Sequence, residues 1–173
     1  MKDLSALTSW HSDWKGLRVV VFGLGVSGFS VADTLAELGA NVLVIAEKAE
    51  SDLLDILDVI GVPHITGVPA DELLLAAKKH APEVLITSPG VRPENEILTW
   101  CEAAKIAVWV DIDLAWRLRD KVGRPAKWIA VTGTNGKTST SRFIERLLRE
   151  HGLRTGRFTS PHLVKINERL SLD

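Results

Sequence analysis

The stretch RVVVFGLGVSGFSVADTLAELG, residues 18–39, narrows the possible folds more than any other part of the chain. RVVVF (18–22) is a short β-branched run and predicts a strand. GLGVSG (23–28) predicts a tight turn, and Val31, Leu35 and Leu38 then recur at helical spacing until Gly39 stops the pattern. A strand that runs through G-x-G-x-x-G directly into a helix opens a parallel β-α-β unit. The same alternation continues. NVLVI (41–45), EVLIT (83–87) and IAVWV (106–110) predict strands, while SDLLDILDVIG (51–61), ADELLLAAKKH (70–80) and ENEILTWCEAAK (94–105) predict the helices between them. Strands that are apolar almost throughout need cover on both faces. The expected fold class is therefore α/β, with a doubly wound, Rossmann-like parallel sheet.

Around RDKVGRPAK (119–127) the apolar pattern lapses into charge, glycine and proline, after which KWIAV (127–131) predicts a new strand. We expect one domain over residues 1–122 and a second beginning at 123 and running to 173. SRFIERLLREHG (141–152) predicts a helix with Phe143, Ile144, Leu147 and Leu148 on one face, and the remainder has room for one strand and a loop. So short a second domain cannot bury its own sheet. It either packs on the first or is the truncated start of something larger.

Composition limits the partners. With 46% hydrophobic residues the chain can build a core, and 21 Lys and Arg against 22 Asp and Glu leave a net charge of −1. No global field draws it to nucleic acid or to an anionic membrane, so any anion must be bound locally. Cys101 is the only cysteine, which excludes an internal disulfide and any multi-cysteine metal centre. The N-terminal MKDLSALTSWHSDWKG has no apolar core of a signal peptide, and no apolar run approaches the length of a bilayer span. The expectation is a soluble cytoplasmic protein, with no signal for an oligomeric state.

Two glycine motifs carry the chemistry. In GLGVSG, Gly23 would permit the turn, Gly25 would let a diphosphate approach the backbone and Gly28 would let helix and strand pack closely, with the helix N-terminus facing the anion. The ligand would be a dinucleotide or a nucleotide diphosphate; the alternative is a tight turn with no ligand. Glu47, at the tip of the second strand, stands where an acid would meet a ribose hydroxyl, or is simply a solvated strand end. GTNGKT (133–138) follows KWIAV and precedes a helix, as a phosphate loop for ATP must. Backbone amides of Gly133, Thr134, Asn135, Gly136 and Lys137 would face phosphate oxygens, Lys137 would neutralise charge, and Thr138 or Ser139 would offer a hydroxyl to Mg²⁺. Val131 stands where the full spacing has a further glycine, so the loop is a shortened variant. Two nucleotide loops argue against an ordinary dehydrogenase, which needs one.

GLGVSG, TSPGV (87–91), DIDLAWRL (111–118) and WIAVTGTNGKT (128–138), in that order and spacing, resemble the Mur ligase superfamily over about residues 14–138. Within it the pattern is most similar to the ligases that join D-glutamate to UDP-N-acetylmuramoyl-L-alanine. The resemblance implies a front domain that binds the UDP-linked substrate and a second that binds ATP and Mg²⁺, acting in peptidoglycan synthesis and hence in cell wall biogenesis, cell shape and cell division. Gly25, Val26, Ser27 and Gly28 would cradle the diphosphate, Glu47 would lie near the uridine, and Ser88, Pro89 and Gly90 would line the substrate cleft. Lys137 and Thr138 would hold ATP and Mg²⁺. ATP would phosphorylate the alanyl carboxylate, and the amine of D-glutamate would displace the phosphate to form an amide. From the phosphate loop onward the sequence is instead similar to folylpolyglutamate synthases, a sister group whose TSPHL serine is associated with the metal site; here that is Ser160, with His162 beside it. The glycine-asparagine loop expected of the muramoyl ligases near 158–163 is not found. Both groups continue into further domains, so the expectation for this sequence is a fragment without ligase turnover. A folylpolyglutamate synthase and a non-catalytic nucleotide-binding module are the alternatives.

Other residues have blander readings. His11, His64, His80 and His151 have no partners at metal-ligand spacing, and Cys101 falls inside a predicted helix as a buried small residue. Trp10 and Trp14 form a possible staple against the first domain, and KKH (78–80) and RLRDK (117–121) are solvated faces. Asp111 and Asp113 suggest a metal pair, but at the head of a helix they read as first-turn charges.

Overall fold

In a parallel sheet with helices on both faces, successive residues of each strand serve different cores. That is what residues 18–110 build. The computed structural model describes residues 2–88, 91–119, 121, 127–131, 135–158 and 170–172. The chain divides into two compact units, 1–126 and 127–173.

The first unit alternates β1 (Arg18–Phe22), α1 (Val26–Glu37), β2 (Asn41–Ala46), α2 (Ser51–Val59), β3 (His64–Thr66), α3 (Ala70–His80), β4 (Val84–Thr87), α4 (Glu96–Ala103), β5 (Ala107–Val110) and α5 (Asp111–Leu118). All neighbouring strands are parallel, in the order β3-β2-β1-β4-β5. Val19, Val21, Val44 and Ile86 point into one core with Val31 and Leu35 of α1, Leu57 of α2 and Leu114 of α5. Val20, Phe22, Ile45 and Leu85 point into the other with Leu73 of α3 and Ile97 and Cys101 of α4. Residues 19–22, 42–46 and 84–86 read as unbroken apolar runs because each of these residues has a helix above or below it. β3 was not legible in the sequence: His64, Ile65 and Thr66 are only half-buried at the sheet edge and form no apolar run.

The chain before β1 is tied down along its length. Leu7 and Trp14 are buried, and the Trp14 indole donates to the Ser9 carbonyl at 3.0 Å. Trp10 is 38% exposed, so of the two tryptophans Trp14 is the fully buried one. The Arg117 guanidinium on α5 donates to the carbonyls of Leu4 (3.1 Å) and Leu7 (3.3 Å) and lies 4.1 Å over the Trp109 ring. Glu83, 3% exposed just before β4, accepts from the Lys2 and Arg18 amides.

The second unit contains α6 (Lys137–Glu150) and an antiparallel pair, β6 (Gly156–Phe158) with β7 (Leu170–Leu172). Three expectations change here. Residues 127–131 form no strand, because among the described residues nothing pairs with them. α6 begins at Lys137 rather than 141: Gly136 adopts φ 76° as its cap, and the hydroxyl run is drawn into the first turns, with Ser141 Oγ donating to the Lys137 carbonyl at 2.9 Å. Among the described residues of 153–173 there are two short paired strands where one was expected.

Candidate nucleotide-binding site

Strand order reverses between β1 and β4. The chain passes from β1 outward to β2 and β3, then returns to the other side of β1 as β4 and β5. At such a switch point the connections leave in opposite directions and open a crevice at the carboxyl ends of the strands. Phe22, Thr87 and Val110 stand in register as the last paired residues of β1, β4 and β5, so Gly23, Ser88 and Asp111 form the next tier above the sheet.

The glycine loop fills one wall of this crevice. Gly23 has φ 104°, a conformation that favours glycine, and its amide donates to the Ile45 carbonyl at 2.8 Å. A Cβ at Gly28 would lie 2.0 Å from the Gly23 carbonyl oxygen, so close helix–strand packing there demands glycine. Gly25 is different: an added Cβ would meet nothing within 4 Å, leaving its backbone open to an approaching group. Gly25 also caps α1 without any side-chain hydrogen bond, so the amides of Val26, Ser27 and Gly28 in the first turn are not taken by a cap. Ser88 closes the other side. Its amide donates to the Phe22 carbonyl at 3.0 Å, and its hydroxyl reaches the Gly23 carbonyl only at 3.5 Å. Ser27, Gly28, Thr87, Ser88 and Asp111 line one shallow indentation.

Six residues singled out from sequence are thus brought together: Gly23, Gly25, Val26, Ser27, Gly28 and Ser88. Glu47 is exposed immediately after β2, at the same carboxyl edge of the sheet. Pro89 and Gly90 lie outside the described residues. Asp111, weighed from sequence as a metal ligand and read as a first-turn charge within DIDLAWRL, lies in the first turn of α5 and also lines the indentation; its place directly after an apolar strand, at the carboxyl edge of the parallel sheet, was the signal available.

In the second loop, Gly133, Thr134, Ser160 and His162 lie outside the described residues. Asn135 and Gly136 lead into α6, whose first turn contains Lys137, Thr138 and Ser139, again with no side-chain cap. Elsewhere, Cys101 is fully buried, and burial pushes its thiol up to about 11. Burial likewise lowers the His80 pKa, with Nε2 3.0 Å from the Asn41 carbonyl oxygen. Among the described residues no group of three or more His, Cys, Asp or Glu could hold a metal ion, and no helix is long and apolar enough to cross a membrane.

Residues 17–110 match the Mur ligase MurD-like, N-terminal domain family. The chain is 51% identical over 166 residues to the UDP-N-acetylmuramoylalanine--D-glutamate ligase of Leifsonia xyli subsp. xyli, covering 87% of this chain and 30% of that protein. It is 39% identical over 154 residues to the enzyme of the same name from Tropheryma whipplei, covering 89% of this chain and 31% of that one. The chain therefore spans about 30% of the length of the curated relatives it matches. Two solved structures share the fold. One is a ligase from Neisseria meningitides named for UDP-N-acetylmuramate and L-alanyl-gamma-D-glutamyl-meso-diaminopimelate (TM-score 0.53, 16% identity, 91% of this chain and 47% of that one). The other is a murein peptide ligase from Psychrobacter arcticus (TM-score 0.53, 19% identity, 88% and 31%). A glycine loop at the switch point, a family match across the whole five-stranded sheet and relatives of one name lead to the same conclusion: the chain belongs to the Mur ligases, in their MurD-like branch.

Proposed function

We propose that this chain supplies the UDP-substrate-binding domain, and the beginning of the ATP-binding domain, of an ATP-dependent ligase that adds D-glutamate to UDP-N-acetylmuramoyl-L-alanine in peptidoglycan precursor synthesis. The observation that carries the reading is the uncapped start of α1, with Gly25 open above it and Ser88 opposite, at the switch point of the sheet. First-turn amides and the positive end of a helix suit a diphosphate. The match of the first unit to MurD-like N-terminal domains supports UDP-N-acetylmuramoyl-L-alanine as the nucleotide that bears it.

ATP and Mg²⁺ belong to the second unit in this reading. The residues present fit them: Gly136 in the left-handed region turns the chain into α6, and a lysine and two hydroxyls follow at once in its first turn. Lys137 would hold the transferred phosphate, and Thr138 would hold Mg²⁺, which neutralises phosphate charge when bound. Gly133, Thr134, Asn135 and Ser139 complete the proposed ATP loop; for Ser160 as a metal contact the resemblance alone gives support. The protein's own contribution to forming an acyl phosphate is to position the phosphate and spread its charge.

Calorimetric titration with UDP-N-acetylmuramoyl-L-alanine, and with NAD and dihydrofolate in the same buffer, tests the substrate. Selective binding of the muramoyl nucleotide is expected. Preference for NAD would turn the first unit into a dinucleotide module, and preference for dihydrofolate would favour the polyglutamylating group.

A further inference from the structure

Asp111 occupies the tier of Gly23 and Ser88, one step beyond the Thr87–Val110 pair, and lines the same indentation as Ser27 and Ser88. Its neighbour Asp113 already meets the needs of the helix end, accepting from the Val110 amide at 3.1 Å. Asp111 itself accepts only from the adjacent Ile112 amide, at 2.9 Å, and its second carboxylate oxygen has no hydrogen bond among the described residues. Ser27 has no side-chain hydrogen bond among those residues, and the Ser88 hydroxyl has only the long contact to Gly23. Three polar side chains with unused capacity thus share one shallow surface.

The two walls have opposite preferences. The α1 terminus attracts an anion, whereas the Asp111 carboxylate repels a phosphate and accepts hydrogen bonds from hydroxyl or amide N–H groups. A ligand with a diphosphate at one end and neutral donors beside it satisfies both walls in one direction only. We propose that Asp111 is a specificity residue of this site, receiving hydroxyl or amide donors from the sugar side of the bound nucleotide and so fixing which way the ligand lies. This rests on the sugar-nucleotide reading given above.

The test is titration of the full chain and of Asp111→Ala and Asp111→Asn with UDP-N-acetylmuramoyl-L-alanine and with UDP. We expect the wild type to prefer the sugar nucleotide. Asp111→Ala should weaken the sugar nucleotide by about tenfold or more, the size of a lost charged hydrogen bond, while UDP changes less than about twofold. Asp111→Asn, which keeps the size and one acceptor oxygen, should fall between. Equal losses for both ligands, or no loss, would overturn the assignment and leave Asp111 as helix support. Should the alanine variant unfold, the asparagine variant decides by the same ratio. A wild-type chain that binds neither ligand removes the sugar-nucleotide reading and this inference with it, a result distinct from wild-type binding that Asp111 does not influence.

Discussion

At Gly28 an added Cβ would lie 2.0 Å from a backbone oxygen, whereas at Gly136 it would meet nothing within 4 Å. Both glycines belong to loops that sequence alone reads as phosphate cradles, yet they are needed for different reasons. In the front loop, Gly23 and Gly28 are spent on the fold, letting α1 press against the turn after β1, and Gly25 alone is left open. In the second loop Gly136 is required by its φ of 76°, which sets the direction in which α6 starts. A glycine pattern thus mixes positions that hold the protein together with positions that face a ligand, and only packing separates them.

Gly28→Ala should break the front loop most severely. The clash is with backbone, not with a side chain that can swing away, so the cost should be about 3 kcal/mol, the upper range for overpacking. Denaturant unfolding of the first unit measures it. A loss below about 1 kcal/mol would mean that helix and turn separate easily, and the contrast with Gly136 would collapse.

A second difference concerns acid. Burial alone would raise the Glu83 pKa, but the amides of Lys2 and Arg18 donate to its carboxylate and the Arg18 guanidinium stands nearby at 3.7 Å; together they outweigh burial and lower it. A carboxylate whose folded pKa lies below its unfolded value stabilises the fold above the unfolded pKa and loses that stabilisation as pH falls through the folded one. The first unit should therefore weaken as pH drops below the ordinary Glu value of 4.5. Glu83→Gln should cost about 1–3 kcal/mol at neutral pH and flatten this dependence. Thermal midpoints from pH 7 to 3, with hydrogen exchange at the β1 and β4 amides, check it; an unchanged acid profile in the variant would remove Glu83 as the cause.

Gly136→Ala should cost about 1 kcal/mol, the strain of a left-handed alanine, and should touch the second unit alone. Hydrogen exchange at the start of α6 reads this, and exchange in β1 should not change. Equal loosening of both units would show that the second loop is coupled to the first sheet.

Much of the first unit was legible because its residues are redundant. Val19 to Phe22 and Val42 to Ile45 are apolar at every position, so burial on both faces follows without knowing which helix lies where. β3 escaped notice because an edge strand of three half-buried residues has no such signature. KWIAV looked like a strand from composition, but a strand exists through its partners, and composition does not show them. At the site, the glycine spacing located the loop through local backbone demands, whereas Ser88 was located only through the family resemblance of TSPGV. Asp111 does stand in the first turn of α5, as its sequence suggests, but its place beside Ser88 follows from the register of β4 against β5, which joins residues far apart in the chain.

Gly25→Ala provides the finest test of the contrast within the front loop. Its φ of −108° is one that alanine adopts freely, and an added methyl meets no protein atom within 4 Å. Stability should therefore shift by less than about 0.5 kcal/mol in either direction. Affinity for UDP should nevertheless fall, because the methyl would stand on the open side of the loop backbone, between the first-turn amides and an incoming diphosphate. Titration with UDP beside a denaturant curve separates the two effects. Unchanged affinity with unchanged stability would mean that the ligand does not approach this backbone, and that the second glycine of the motif is as free of function here as its neighbours are bound to the fold.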